Sequence, residues 1–246
     1  MPKVSIITAC APNAAQFLSE AWCSIKSSVL PVGWQIEWCL QEDGPDRTVD
    51  PLLVSQPTIS YDVNGCSLGT ATTRNLALVR SVGDIVVGLD ADDMLAPGGL
   101  LALVKAVSVS SLLAWSVGRD CHLMPNGELV NQVASLRPGV YRPGEVVEKW
   151  LELGRAPFRS SLACMRTKAV WRVGGWPALG RLDDAALVYA LSALYPGVIV
   201  PDNTLIYRRW SGQKTIQDWS KNLIAPSKDF TVRWVRAMTE DCKDSR

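Results

Sequence analysis

Short apolar runs, two of which lead into carboxylates, constrain this chain more than any other feature. Val4-Ser5-Ile6-Ile7-Thr8-Ala9, Ile36 to Leu40 and Ile85-Val86-Val87-Gly88-Leu89 read as buried strands, since β-branched runs of this length suit a sheet covered on both faces. Helical patterns stand between them. One carries Phe17, Leu18, Ala21, Trp22 and Ile25 behind Asn13 as a candidate cap and stops at Pro31. A short strand at Thr58 to Val63 precedes a helix from Thr70 to Val82 that Gly83 closes. Strands alternating with helices predict an α/β fold, a mostly parallel sheet with helices on both faces. Ligands bind such sheets beyond the carboxyl ends of the strands. Asp43-Gly44 and Asp90-Ala91-Asp92-Asp93 follow strands at once and fall on that edge.

The second half is less regular. Pro125-Asn126-Gly127 predicts a hairpin turn, Pro143 to Leu153 a helix and Ser161 to Met165 a strand. Asp183 to Leu194 reads as a helix whose acidic start suits its dipole. Val198 to Pro201 and Leu205 to Arg209 read as two short strands, and the tail from Thr215 as a helix in two pieces. With no clear linker or repeat, one domain over 1–246 is expected, a front half (1–110) and an elaborated back half (111–246).

Composition removes several functions. Lys plus Arg is 25 against 24 Asp plus Glu, so no charge excess points to nucleic acid or an anionic membrane. Hydrophobic residues at 48% exclude a disordered chain. Seven cysteines without a C-x-x-C pair, and His122 as the one histidine, exclude a structural zinc site. His122 itself, just before the hairpin turn, reads as structural and only secondarily as a ligand. The start enters a strand pattern at once with no signal-peptide sequence, so a reducing cytoplasm is the expected compartment. Gly98 to Val117 is long and apolar, but Ser108, Ser110 and Ser111 divide it, which predicts a helix followed by a buried strand rather than a membrane span.

The chemistry concentrates in Asp90, Asp92 and Asp93. Three carboxylates in four residues repel unless a cation or proton sits among them. Magnesium or manganese bridging to a diphosphate is one answer; a solvated acidic turn ahead of the helix near Pro97 is the other.

Further segments accompany this cluster in a recognisable order. Val4 to Ala9, Leu40-Gln41-Glu42-Asp43-Gly44-Pro45, Gly69-Thr70-Ala71-Thr72-Thr73-Arg74-Asn75, Leu89 to Asp93, Gly174-Gly175-Trp176 and Asp183-Asp184 resemble, in sequence, the motifs of the family 2 glycosyltransferases of the GT-A fold. The resemblance implies an inverting, Mn²⁺- or Mg²⁺-dependent, hexosyl-type transfer from a nucleotide diphosphate sugar, a UDP-sugar, to an acceptor hydroxyl. The 1–110 half would bind the donor and the 111–246 half the acceptor. Asp43 would accept from uracil and Ala9 line the base pocket through its backbone. Arg74 would lie near base or diphosphate, Asp90 and Asp92 near ribose and metal, and Asp93 at the metal. Asp184 would be the general base. Trp176, Asp183, Arg208, Arg209 and Trp210 are candidate contacts to acceptor or diphosphate, with Asp183 alternatively capping its helix or holding Arg208 or Arg209.

The chain departs from the family pattern in places. Ala9-Cys10-Ala11-Pro12-Asn13 lacks the aromatic that stacks on the base, and the late acid pair is Asp-Asp rather than Glu-Asp. Tyr207-Arg208-Arg209-Trp210 is similar to the Arg-Trp of processive members, but no Gln stands at the matching earlier position, which favours single transfer. Trp22, Trp34, Trp38, Trp115 and Trp171 fall in apolar patterns and are expected in the core. Two other readings share these residues. A haloacid-dehalogenase-like phosphatase would use Asp90 as nucleophile, Asp92 as acid and Asp183-Asp184 at magnesium, but expects the cluster on the first strand. A non-catalytic sugar-nucleotide-binding protein would need no base.

Overall fold

The computed structural model describes residues 1–216 and 221–244. Strand β1 (Lys3–Cys10) is central because apolar strands flank it on both sides, with β2 (Gln35–Glu42) and β4 (Ile85–Gly88) each parallel to it. The chain runs outward from β1 through β2 to β3 (Ile59–Val63), then returns to β4 on the other side of β1. That reversal makes a crevice at the carboxyl ends of β1 and β4. Ala9 lies near the end of β1, and Asp90 follows β4.

Beyond β4 the order continues β9 (Cys164–Arg166), β6 (Trp115–Leu123), β10 (Gly197–Arg208) and β5 (Met94–Leu95). Of these eight strands, β9 and β5 oppose the other six, so the sheet is mostly parallel as expected. The back half adds β7 (Leu129–Asn131), the hairpin partner of β6, and β8 (Gly139–Tyr141), both antiparallel to their neighbours.

Side chains alternate across the strands as a period of two requires. Ile6 and Val87 point into a core with Leu100 and Leu103 of α4 (Gly99–Ser108), where α1 (Leu18–Lys26) also packs. Ile7 and Val86 join Leu78 of α3 (Thr70–Arg80) and Leu187 and Leu191 of α7 (Asp183–Leu194). Each such buried aliphatic contributes ~1.5–3 kcal/mol against the entropy of ordering the chain. The remaining helices are α2 (Pro51–Val54), α5 (Glu145–Leu153), α6 (Thr167–Arg172) and α8 (Ile224–Asp244). Gly98 to Val117 resolves into α4 and the start of β6, and among the described residues no helix is long and apolar enough to cross a membrane.

Several local expectations are corrected. Asn13 does not cap a helix: Pro12, suited to a first helical turn, starts a 3-10 segment over Pro12–Phe17 that contains Asn13, and α1 follows. Gly83 does not close α3, which ends at Arg80. It lets the backbone press on β1, because a Cβ there would sit 2.5 Å from Ser5 Oγ. The two strands expected at 198–209 are one strand with register shifts between Ile199 and Leu205, which absorb Pro201. The strand expected over Ser161 to Met165 is shorter and shifted to Cys164–Arg166. Trp38 and Trp115 are fully buried, but Trp171 is half exposed on α6. Part of the expected two-piece tail helix, 217–220, lies outside the described residues. Cys39 and Cys164 are buried small hydrophobes, and burial pushes each thiol up to about 12.

Candidate active site

The acid cluster occupies the turn after β4, closed by the Asp93 N–H on the Asp90 carbonyl at 3.1 Å. One carboxylate oxygen from each of Asp90, Asp92 and Asp93 lies within 4.8 Å of the others. Asp93 is buried; one oxygen accepts the Arg208 N–H at 2.9 Å, and the other is buried with no partner among the described residues. Burial first, then Asp90 and Asp92, pushes the Asp93 carboxyl well above its ordinary range. Asp92 is raised by burial and by Asp90, opposed by the indole N–H of Trp210, which donates to it at 2.6 Å. An orphaned oxygen among repelling carboxylates is what a hard divalent cation relieves. These residues fit magnesium or manganese.

Arg74 joins this cluster to the second acid pair. It lies on α3, almost fully buried, and its guanidinium pairs with Asp90, with Asp183 at 2.5 Å and with Asp184 at 3.1 Å. Burial opposes its charge, but Asp184, Asp183 and Asp90 outweigh that and hold its pKa above the ordinary value. Asp183 and Asp184 open α7. The residue before them, Leu182, has φ 62°, and among the described residues no other non-glycine has a positive φ. Such strain gathers at functional sites. Asp183 therefore holds Arg74, not Arg208 or Arg209.

A second strut fixes Asp184. Asn75 brackets the Trp176 backbone, donating to its carbonyl at 2.8 Å and accepting its N–H at 2.9 Å. Gly175 permits this, with φ 76° and a position where a Cβ would meet Asn75 Oδ1 at 2.4 Å. The buried Trp176 indole N–H then donates to Asp184 Oδ1 at 2.9 Å. Burial lifts the Asp184 carboxyl to about 7, with Asp183 and Asp90 raising it and Arg74 and Trp176 opposing.

These groups border one open cavity of about 720 Å³, which Ala9, Asp43, Arg74, Asp90, Asp92 and Asp184 help line. Asp183 and Trp210 line it too, whereas Asp93 lies behind it and Trp176 supports it from the core. Asp43 accepts backbone N–H groups of Leu68 at 2.6 Å and Gly69 at 3.1 Å and the Asn64 amide at 3.1 Å, so it also anchors the loop before α3. Arg208 and Arg209 are not in the lining. Arg208 is spent on the Asp92 carbonyl, Glu20 and the face of Phe17, and Arg209 lies 5.9 Å from the Tyr207 ring.

The cavity also holds a group that sequence reasoning did not bring together: Asp120, Arg159, Tyr207 and His122, which it had read as structural first and as a ligand second. Asp120 and His122 alternate on β6, His122 opposite Tyr207 of β10. Their i, i+2 spacing after an apolar strand was a signal that both face one side. Burial, with Arg159 and Arg209 adding to it against Asp120, lowers the His122 pKa, so it is neutral near pH 7. Arg159 had no such signal.

A mostly parallel sheet with paired acid clusters over its switch point is the architecture of a GT-A glycosyltransferase. The family model described as Glycosyl transferase family 2 matches residues 5–146, and the chain belongs to that family. The acid cluster follows β4 and not the first strand, and with this membership the phosphatase reading falls. A crystal structure of S. aureus TarS 1-349 is similar with TM-score 0.60 and 15% identity, over 85% of this chain and 60% of that one. A second, S. aureus TarS 1-349 in complex with UDP-GlcNAc, gives 0.62 and 15%, over 87% and 60%. The chain thus spans 60% of the TarS chains it matches. No curated protein matches it in sequence.

Proposed function

We propose that this protein transfers a sugar from a UDP-sugar to an acceptor hydroxyl in one inverting displacement, a single transfer per encounter. The observation that carries the reading is Arg74, which binds Asp90 of the donor-side cluster and the Asp183–Asp184 pair in one cavity. The similarity to a UDP-GlcNAc complex supports the choice of nucleotide. Residues 1–110 form the donor side and 111–246 the acceptor side.

Asp92 and Asp93 hold a divalent ion, with Asp90 toward the ribose. Bound there, Mn²⁺ or Mg²⁺ supplies positive charge to the departing diphosphate. Asp43 accepts from uracil N3 beside the backbone of Ala9, sharing oxygens that already anchor the loop before α3. Asp184 takes the acceptor's proton as the new bond forms. A base near 7 combines an ionised fraction with enough basicity at neutral pH. Arg74 keeps the pair oriented, and Asp183 shares that guanidinium without reaching for the acceptor proton.

The test is a screen of UDP- and GDP-sugars with Mn²⁺, Mg²⁺ or chelator, following nucleotide release and the anomeric configuration of the product. UDP release that needs metal, with inversion, is expected. Tighter GDP binding overturns the donor, full activity in chelator the metal, and retained configuration the displacement. Nucleotide binding without any turnover would favour the non-catalytic alternative.

A further inference from the structure

The two sides of the cavity differ in charge. Its front side carries Asp43, Asp90 and Asp92, with Arg74 committed to three carboxylates. Between residues 118 and 161 the lining holds one acid, Asp120, against Arg119, Arg155 and Arg159. Arg119 and Arg155 are exposed, and among the described residues no acid pairs with either.

Arg159 is held in place with most of its donors unspent. Its guanidinium carbon lies 3.9 Å from the Tyr207 ring centroid. Its Nε is 3.5 Å from Asp120 Oδ2 and its Nη2 is 3.4 Å from His122 Nε2. Both polar contacts sit at the long limit of hydrogen bonding, and a guanidinium has five N–H groups to give. Ser161, also in the lining, has a buried hydroxyl with no partner among the described residues. A ligand oxygen would satisfy such a group.

We infer that Arg119, Arg155 and Arg159 form a subsite for an oxyanion, a phosphate or carboxylate, carried by the acceptor. The inference rests on the transferase reading above. A stacked guanidinium is preoriented for two-point recognition of an oxyanion. Two further cations without an acid partner among the described residues border the same cavity and raise the local concentration of anions. The donor's diphosphate already has the Asp92–Asp93 side, and neither Arg119 nor Arg155 comes from it. A carboxylate on the donor sugar offers the same chemistry, so the test separates the sources.

Titration calorimetry on the full chain, saturated with UDP and Mn²⁺, keeps the diphosphate site filled. The probes are glycerol 3-phosphate and glucuronate, each against its neutral counterpart, glycerol and glucose. Anionic probes should bind about tenfold tighter or more, and added salt should narrow the gap. Combined Arg119→Gln and Arg155→Gln should reduce the preference, Arg159→Gln should remove most of it, and Arg159→Lys should keep part. Equal binding of charged and neutral probes, or a preference that survives all three Gln substitutions, overturns the inference. So does a UDP-glucuronate preference over UDP-glucose that Arg159→Gln abolishes while the free probes bind unchanged, since the anion then belongs to the donor. Absent UDP binding in the unmodified chain would instead defeat the transferase reading.

Discussion

The two sides of the cavity are held by different means. On the front side the polar groups ride on the ends of parallel strands, with Ala9 near the end of β1, Asp43 just past β2 and Asp90 past β4. Ladder hydrogen bonds fix them. On the back side Arg159, Trp176 and Asp184 stand on loops and a helix start, held by side chains of their neighbours. Two of those neighbours, Arg74 and Asn75, belong to α3 in the front half. The dependence nevertheless runs both ways: Asp184 needs α3, and Asp92 and Asp93 need Trp210 and Arg208 of the back half.

Arg74→Ala should break this arrangement most severely. It leaves Asp183, Asp184 and Asp90 without their shared counterion, a change that typically costs ~3–5 kcal/mol for a buried pair. Urea unfolding and turnover should both report the loss; unchanged stability would mean that Arg74 is not the counterion these carboxylates depend on.

Asp184→Asn should lower turnover by ~10²–10⁴-fold with nucleotide binding kept. In the unmodified chain kcat/KM should fall as pH drops through about 7, because the base must be ionised. The variant should lack that limb. If Asp183→Asn loses turnover and Asp184→Asn does not, the other acid is the base.

Asp93→Asn should affect binding and stability in opposite directions. Metal-dependent nucleotide binding should vanish. A folded-state carboxyl raised by burial favours the protonated form, so its ionisation costs stability as pH climbs above the unfolded value. The metal-free variant should thus melt higher than the parent at neutral pH, with the gap closing in acid, which scanning calorimetry across pH will show.

Trp176→Phe is milder. The indole N–H favours the Asp184 carboxylate, so its loss should move the acidic limb of the pH profile to higher pH and slow turnover severalfold near neutrality. An unmoved limb would leave the indole a packing role only. The smallest effect should come from Gly127→Ala in the back-half hairpin. There φ is 85° and no atom lies within 4 Å, so only the backbone penalty of ~1–2 kcal/mol applies, with no change in nucleotide affinity.

The same division governs what the sequence could reveal. Strands β1, β2 and β4 were legible because a run buried on both faces must be apolar throughout, and the carboxylates after them then had a known edge. The span of α7, Asp183–Leu194, was legible from its acidic start and apolar body. Contacts made by long side chains were not. Arg208 and Arg74 look alike in a string of letters, yet one braces the backbone behind the acid cluster and the other joins three carboxylates across the cavity. Pro201 suggested a break because the bulge by which β10 itself absorbs it has no local code. Arg159 reaches the cavity only because Tyr207 and Asp120 receive it.

Leu182 bears on how this protein could be improved. A leucine held at φ 62° costs ~1–2 kcal/mol that glycine would not incur. A laboratory selection for heat resistance alone would reward Leu182→Gly early, since nothing else in the described backbone offers that gain at a non-glycine position. The same change widens the range of angles at which α7 can begin, and Asp184 would wander with it. Selection for turnover would restore the leucine.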